Sequence, residues 1–120
     1  VSDYKVKNIS KEKIKKKDVE ELEIKLNKNP DILKYICESK NRPDFVVGFA
    51  AETESLEGNA KEKLLNKKCD IILASNVLEN DVLGSDDTNL LCISKGAVED
   101  WGRISKIDAA RKLIDYISQK

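Results

Sequence analysis

Five lysines, Lys11, Lys13, Lys15, Lys16 and Lys17, fall within one short stretch interrupted only by Glu12 and Ile14. Such density has two physical readings. It is a solvated run of like charge, or it is a flap that closes over a polyphosphate and neutralises charge developing there. Composition alone favours the first. A second pair, Lys63 and Lys67, would share one face of a helix. Near a helix C-terminus, cations are favoured by the dipole without any ligand, and that reading leads until other information enters. Polar residues also gather where apolar runs end: Asp3, then Asn29 to Asp31, then Glu52 with Thr53, then Ser75 with Asn76. In open α/β sheets ligands bind beyond the carboxyl ends of the strands, so these positions are candidates. Each alone is equally ordinary loop composition or a helix cap.

The missing residue types narrow the chemistry. With no histidine in the chain, it contains no Cys-His or Ser-His pair and no histidine-based catalytic zinc site. Acid, base and electrostatic roles fall to Asp, Glu, Lys and the backbone. Cys37, Cys69 and Cys92 are odd in number and widely spaced, which fits neither a disulfide framework nor a paired zinc motif. Cys37 and Cys69 have apolar neighbours and read as small core residues. Lys+Arg and Asp+Glu balance at 22 each, so no global field draws the chain to nucleic acid or an anionic membrane. No stretch is apolar enough to cross a membrane and no signal-peptide pattern opens the chain, so a cytoplasmic location is expected. The start at Val1 and the lack of methionine lead us to expect a fragment or processed piece.

A chain of 120 residues has room for one core. Val1 to Tyr4 reads as the tail of a strand, followed by a loop or flap from Lys5 to Asp18. From Glu20 to Lys28, Leu22, Ile24 and Leu26 alternate with charged residues, the period of a half-exposed strand. Asn29 can cap a following helix with Pro30 at its first position, and Ile32, Leu33 and Ile36 supply its apolar stripe. After Asn41-Arg42-Pro43, the nearly continuous apolar run Phe45 to Ala51 predicts a central strand covered on both faces. Leu56, Ala60 and Leu64 recur with helical spacing within Ser55 to Lys68. Asp70 to Ala74 is the next buried strand, and this alternation argues for βαβ units and a parallel sheet. A polar loop from Glu79 to Thr88 leads to a hairpin, Leu90 to Ile93 and Val98 to Trp101, about Lys95-Gly96. Ser105 with Asp108 marks the start of a last helix, with Ile107, Ala110, Leu113, Ile114 and Ile117 on one face.

Four segments in order, Val1 to Tyr4 (VSDY), Lys13 to Lys16 (KIKK), Asn29 to Leu33 (NPDIL) and Gly48 to Thr53 (GFAAET), resemble the bacterial phosphopantothenate–cysteine ligase family. This is the synthetase part of the flavoprotein-linked enzyme of coenzyme A biosynthesis. The similarity continues through Ala60 to Leu64 and Lys67 to Asn76, and ends at Gly84-Ser85-Asp86. It implies an α/β, Rossmann-like three-layer partial domain, mainly parallel with a C-terminal antiparallel hairpin. Residues 1–120 would form the C-terminal part of a single ligase domain.

The implied reaction joins 4′-phosphopantothenate to cysteine. CTP activates the carboxylate as an acyl-cytidylate with loss of pyrophosphate, the cysteine amine displaces CMP, and Mg2+ assists. The resemblance makes Asp3, Lys13, Phe49, Lys63 and Lys67 nucleotide contacts, and Asn29, Pro30, Asp31, Ile32 and Leu33 the segment lying beside the nucleotide. Lys13 would be the flap lysine of catalysis. The GFAAET phrase resembles CTP-using rather than ATP-using members. A homodimer is implied, and FMN only if a decarboxylase domain lies upstream. The metal ligands are not identified by the resemblance.

The family's glycine-rich opening segment and its acyl-cytidylate asparagine would lie upstream of Val1, so the isolated chain is expected to be inactive. Two rivals remain at this stage. One is a non-catalytic nucleotide-binding or regulatory module, separated by pyrophosphate release. The other is a lysine-rich binder of nucleic acid, disfavoured by balanced charge and by only 5% aromatic residues.

Overall fold

The structure is a computed structural model that describes residues 2–15, 20–78 and 84–120. The chain divides into two compact units, one reaching to Ile32 and the other Leu33–Lys120.

The first unit is built on an antiparallel ribbon of β1 (Tyr4–Val6) and β2 (Leu26–Lys28), with Lys5 opposite Asn27. Backbone bonds extend the ladder at both ends, Lys7 N–H to Lys25 O at 2.9 Å and Asn29 N–H to Asp3 O at 2.8 Å. The strand expected over Glu20 to Lys28 forms only at its end. Leu22 and Ile24 lie before it and are 57% and 58% exposed. Alternating apolarity sustains a strand only where a partner supplies both a ladder and a face to cover, and β1 reaches only three residues of it.

Asn29 differs from its expected capping role. Its backbone N–H closes the ribbon and its Nδ2 donates to Ser2 O at 2.7 Å. Helix α1 (Ile32–Glu38) begins beyond Pro30.

The second unit carries a four-stranded sheet ordered β3 (Val47–Glu52), β4 (Ile71–Asn76), β5 (Asp87–Ser94) and β6 (Ala97–Ser105). The α/β class and the C-terminal hairpin are as expected. Parallel pairing is confined to β3 and β4, and the hairpin makes the rest antiparallel, so the described sheet is mixed. The βαβ step runs through α2 (Leu56–Lys67). Gly96 turns the hairpin at φ 90°, a conformation that L side chains rarely adopt.

Strand β4 shows why its run is continuously apolar. Ile72 and Ala74 join Ala50, Ala60, Leu64 and Ile93 in one cluster. Ile71 and Leu73 join Leu90, Cys92, Trp101 and Ala109 in another. Side chains alternate across a pleated strand, so helices on both sides demand apolar residues at every position. Helix α2 covers the first face and α3 (Lys106–Ser118) the second. Strand β3 was expected to be central. Among the described residues it pairs only with β4 and stands at the edge, with Gly48 and Ala50 buried and Phe49 66% exposed.

Two devices set the strand ends. Asp70 Oδ2 accepts from Arg42 Nη2 at 2.5 Å and from Val46 N–H at 2.6 Å, tying the entry of β3 to that of β4. At α3, Ser105 Oγ accepts from Asp108 N–H at 3.0 Å and donates to Asp108 Oδ2 at 2.8 Å. The N-cap expected at Ser105 is present, but Asp108 accepts from the Ser105 hydroxyl, whereas a full capping box uses the cap's backbone N–H; the same hydroxyl holds the Asp108 carboxyl below its ordinary pKa.

Candidate functional site

The parallel strands end side by side, with Glu52 opposite Asn76 and Val77 N–H donating to Glu52 O at 3.0 Å. Helix α2 starts just beyond β3, after a left-handed turn at Ser55 whose side chain makes no cap. The join is held instead by Asn59, whose Nδ2 donates to Glu54 O at 2.9 Å and to Glu52 Oε2 at 3.3 Å. One turn later, Lys63 Nζ lies 3.6 Å from Glu52 Oε1. Lys63 therefore reaches back along its helix toward the carboxyl end of β3. Lysine side chains can do this because their long stems lie along the surface while the ammonium stays in water.

Asn59 was not singled out from the sequence, although its signal was present. It lies four residues before Lys63 on the helix face that Lys63 was expected to occupy, and follows a strand that ends in a carboxylate.

Phe49 lies on the opposite face of the sheet. It lines an open cleft of about 500 Å³ with Ala51, Leu73, Leu90, Ala109 and Leu113. The polar lining is Ser75, Thr88 and Lys106. Ser75 Oγ and Thr88 Oγ1 share a hydrogen bond at 3.2 Å, while Lys106 Nζ donates to Ser85 O. Lys67, the last residue of α2, is half-buried like Lys63. It lies one turn farther from the carboxyl end of β3.

The remaining candidates sit mainly in the first unit. Asp3 and Asn29 meet there through the Asn29 N–H bond, and Pro30, Asp31 and Ile32 lead from the ribbon into α1. Lys13 is exposed, beside an Ile14 that lines a cleft of about 560 Å³ with Val6, Ile9, Leu22 and Ile24. Lys16 and Lys17, like Val1 and the 79–83 part of the polar loop, lie outside the described residues. Leu33 opens the second unit and packs against the cluster under α2, a structural role for that residue's side chain.

The cysteines act as core residues. Burial pushes the Cys69 thiol up to about 11, helped by contact with Cys37, and burial likewise pushes Cys92 up to about 11. Thiols of that kind are overwhelmingly protonated at neutral pH and are poor nucleophiles.

A family model described as DNA/pantothenate metabolism flavoprotein C-terminal domain matches residues 1–120. The coenzyme A biosynthesis bifunctional protein CoaBC of Haemophilus influenzae is 37% identical over 120 residues, covering 100% of this chain and 30% of that protein. Its counterpart from Borreliella burgdorferi is 36% identical over 118 residues, 98% of this chain and 30% of that protein. The chain thus spans less than a third of the curated relatives it matches. A crystal structure of the C-terminal domain of CoaBC superposes with a TM-score of 0.72 at 27% identity, covering 99% of this chain and 50% of that one. The DNA/pantothenate metabolism flavoprotein from Streptococcus pneumoniae gives a TM-score of 0.67 at 20% identity over 89% of this chain and 45% of that one, a likeness of fold.

Proposed function

The chain belongs to the DNA/pantothenate metabolism flavoprotein C-terminal domain family, and on that premise we propose that it forms part of a CTP-dependent phosphopantothenate–cysteine ligase. In this reading a carboxylate oxygen of 4′-phosphopantothenate attacks the α-phosphorus of CTP and pyrophosphate leaves. The cysteine amine then attacks the acyl carbon and CMP leaves, forming the amide. The observation that carries the reading is the whole-chain family match, which includes the relatives' place in coenzyme A biosynthesis. The chemistry asks little of protein acids and bases. It needs cations preorganised around phosphates, and this chain supplies lysines and no histidine.

Lys63 is the cation best placed for that role, half-buried and drawn to the carboxyl end of β3. Asp3, Lys13, Phe49, Lys67 and the segment from Asn29 to Leu33 complete the proposed nucleotide contacts. Among the described residues no three His, Cys, Asp or Glu side chains gather to hold a metal. Mg2+ belongs to the same reading and needs no such cluster, because with nucleotides it keeps several waters and is held largely by the substrate phosphates. A homodimer is part of the same reading.

The test is pyrophosphate release by the complete enzyme with phosphopantothenate, cysteine and either CTP or ATP. CTP is expected to support the faster turnover. Equal rates would remove the CTP assignment, and binding without release would leave a non-catalytic nucleotide module.

A second measurement addresses the α2 lysines. Lys63→Ala and Lys67→Ala are each expected to weaken CTP binding more than they lower the melting temperature. A role confined to the helix dipole gives the reverse pattern, a loss of about 0.3–1 kcal/mol in stability with binding unchanged.

A further inference from the structure

Glu52 ends β3 with its side chain only 19% exposed, less than the 35% of its partner Lys63. Its two carboxylate oxygens are divided between successive turns of α2: Oε2 accepts from Asn59 at 3.3 Å and Oε1 faces Lys63 Nζ at 3.6 Å. Asn59 is itself fixed, because the same Nδ2 donates to Glu54 O at 2.9 Å. The carboxylate is thus held at the strand–helix junction before any ligand arrives. Lys63 is held loosely by comparison. At 3.6 Å the contact orients the ammonium without engaging it in a close hydrogen bond, so its donors remain usable by an anion.

We propose that Glu52 is the positioning residue for Lys63, holding its ammonium at the carboxyl end of β3 for the phosphates of the nucleotide. The inference rests on the reading of Lys63 as a nucleotide contact. An unguided lysine loses considerable rotamer freedom when a phosphate fixes it. Glu52 meets part of that loss in advance, in the folded protein, as preorganised sites do. Simple electrostatics makes the opposite forecast. Neutralising a carboxylate near a bound polyphosphate removes a repulsion, so binding would improve. The sign of the effect therefore separates the two.

The experiment is a double-mutant cycle in the complete enzyme. It reads kcat/KM for CTP at saturating phosphopantothenate and cysteine, with melting temperature measured alongside. Glu52→Gln keeps an acceptor for Asn59 and removes the charge. It is expected to lower kcat/KM about tenfold, while in the Lys63→Ala background the same change has an effect of about twofold or less. Glu52→Gln that raises kcat/KM or leaves it unchanged, with Lys63→Ala still damaging, overturns the positioning role and spares the Lys63 assignment. Equal losses from Glu52→Gln in both backgrounds also overturn it, because the carboxylate would then act through the fold. If Lys63→Ala leaves kcat/KM for CTP intact, the nucleotide role of Lys63 fails and this inference fails with it.

Discussion

Lys13→Gln in the complete enzyme is expected to fold normally and to lose turnover by about two orders of magnitude or more, the scale of a lost preorganised transition-state contact. Lys13 is exposed, and the apolar lining beside it comes from Ile14, Val6, Ile9, Leu22 and Ile24. Among the described residues its charge pairs with no buried group, so a stability change should stay within about 0.5 kcal/mol, as for surface substitutions generally. A large kinetic loss would then have to come from the reaction. The control is Lys17→Gln, in the same lysine run but outside the matched segment, which should cost far less. Comparable activity of the two variants would return the run to solvated charge and remove Lys13 from the site.

The elements that could be read from the sequence are those whose partners are close along the chain or whose burial is symmetric. Strand β4 announced itself by four consecutive apolar residues, and α3 by Ser105 and Asp108 three residues apart, because both signals are local. The segment from Glu20 to Ile24 carried an equally regular alternation and has no ladder among the described residues, since pairing depends on residues far along the chain. Asn29 shows the same competition. A residue suited to capping the next helix instead closes a ribbon with Ser2 and Asp3.

The candidate site divides along similar lines. Lys63 could be placed on a helix face from its spacing. Its direction along that face could not, because it depends on Glu52 and Asn59 meeting across a loop. The separation of Phe49 from Lys63 by the sheet was latent in the alternation of β3, where Phe49 and Glu52 are an odd number of residues apart.

Gly48→Ala is expected to destabilise the fold by about 2 kcal/mol, within the range for forcing a carbon into a packed core. The glycine precedes Phe49, a proposed nucleotide contact, so two explanations for it compete: close approach of a ligand, or close approach of the protein itself. A Cβ there would stand 2.4 Å from Ile72 Cδ1, 2.8 Å from Leu33 Cδ2 and 3.4 Å from Cys69 Sγ. Ile72 cannot readily yield, being fully buried at 0% exposure among Ala60 and Ala74, also at 0%. Leu33, half-buried in α1, can move farther, and its give keeps the expected cost moderate. Gly58 provides the matched control. It lies within α2 with nothing inside 4 Å of its Cβ position. Alanine there should stabilise by about 0.5–1 kcal/mol through the lower entropy of the unfolded chain and better helix propensity. Thermal unfolding of the complete enzyme followed by circular dichroism should therefore show Tm falling for Gly48→Ala and holding or rising for Gly58→Ala. Unchanged Tm for Gly48→Ala together with weakened CTP binding would assign the glycine to the ligand instead of to the helix and strand that close on it.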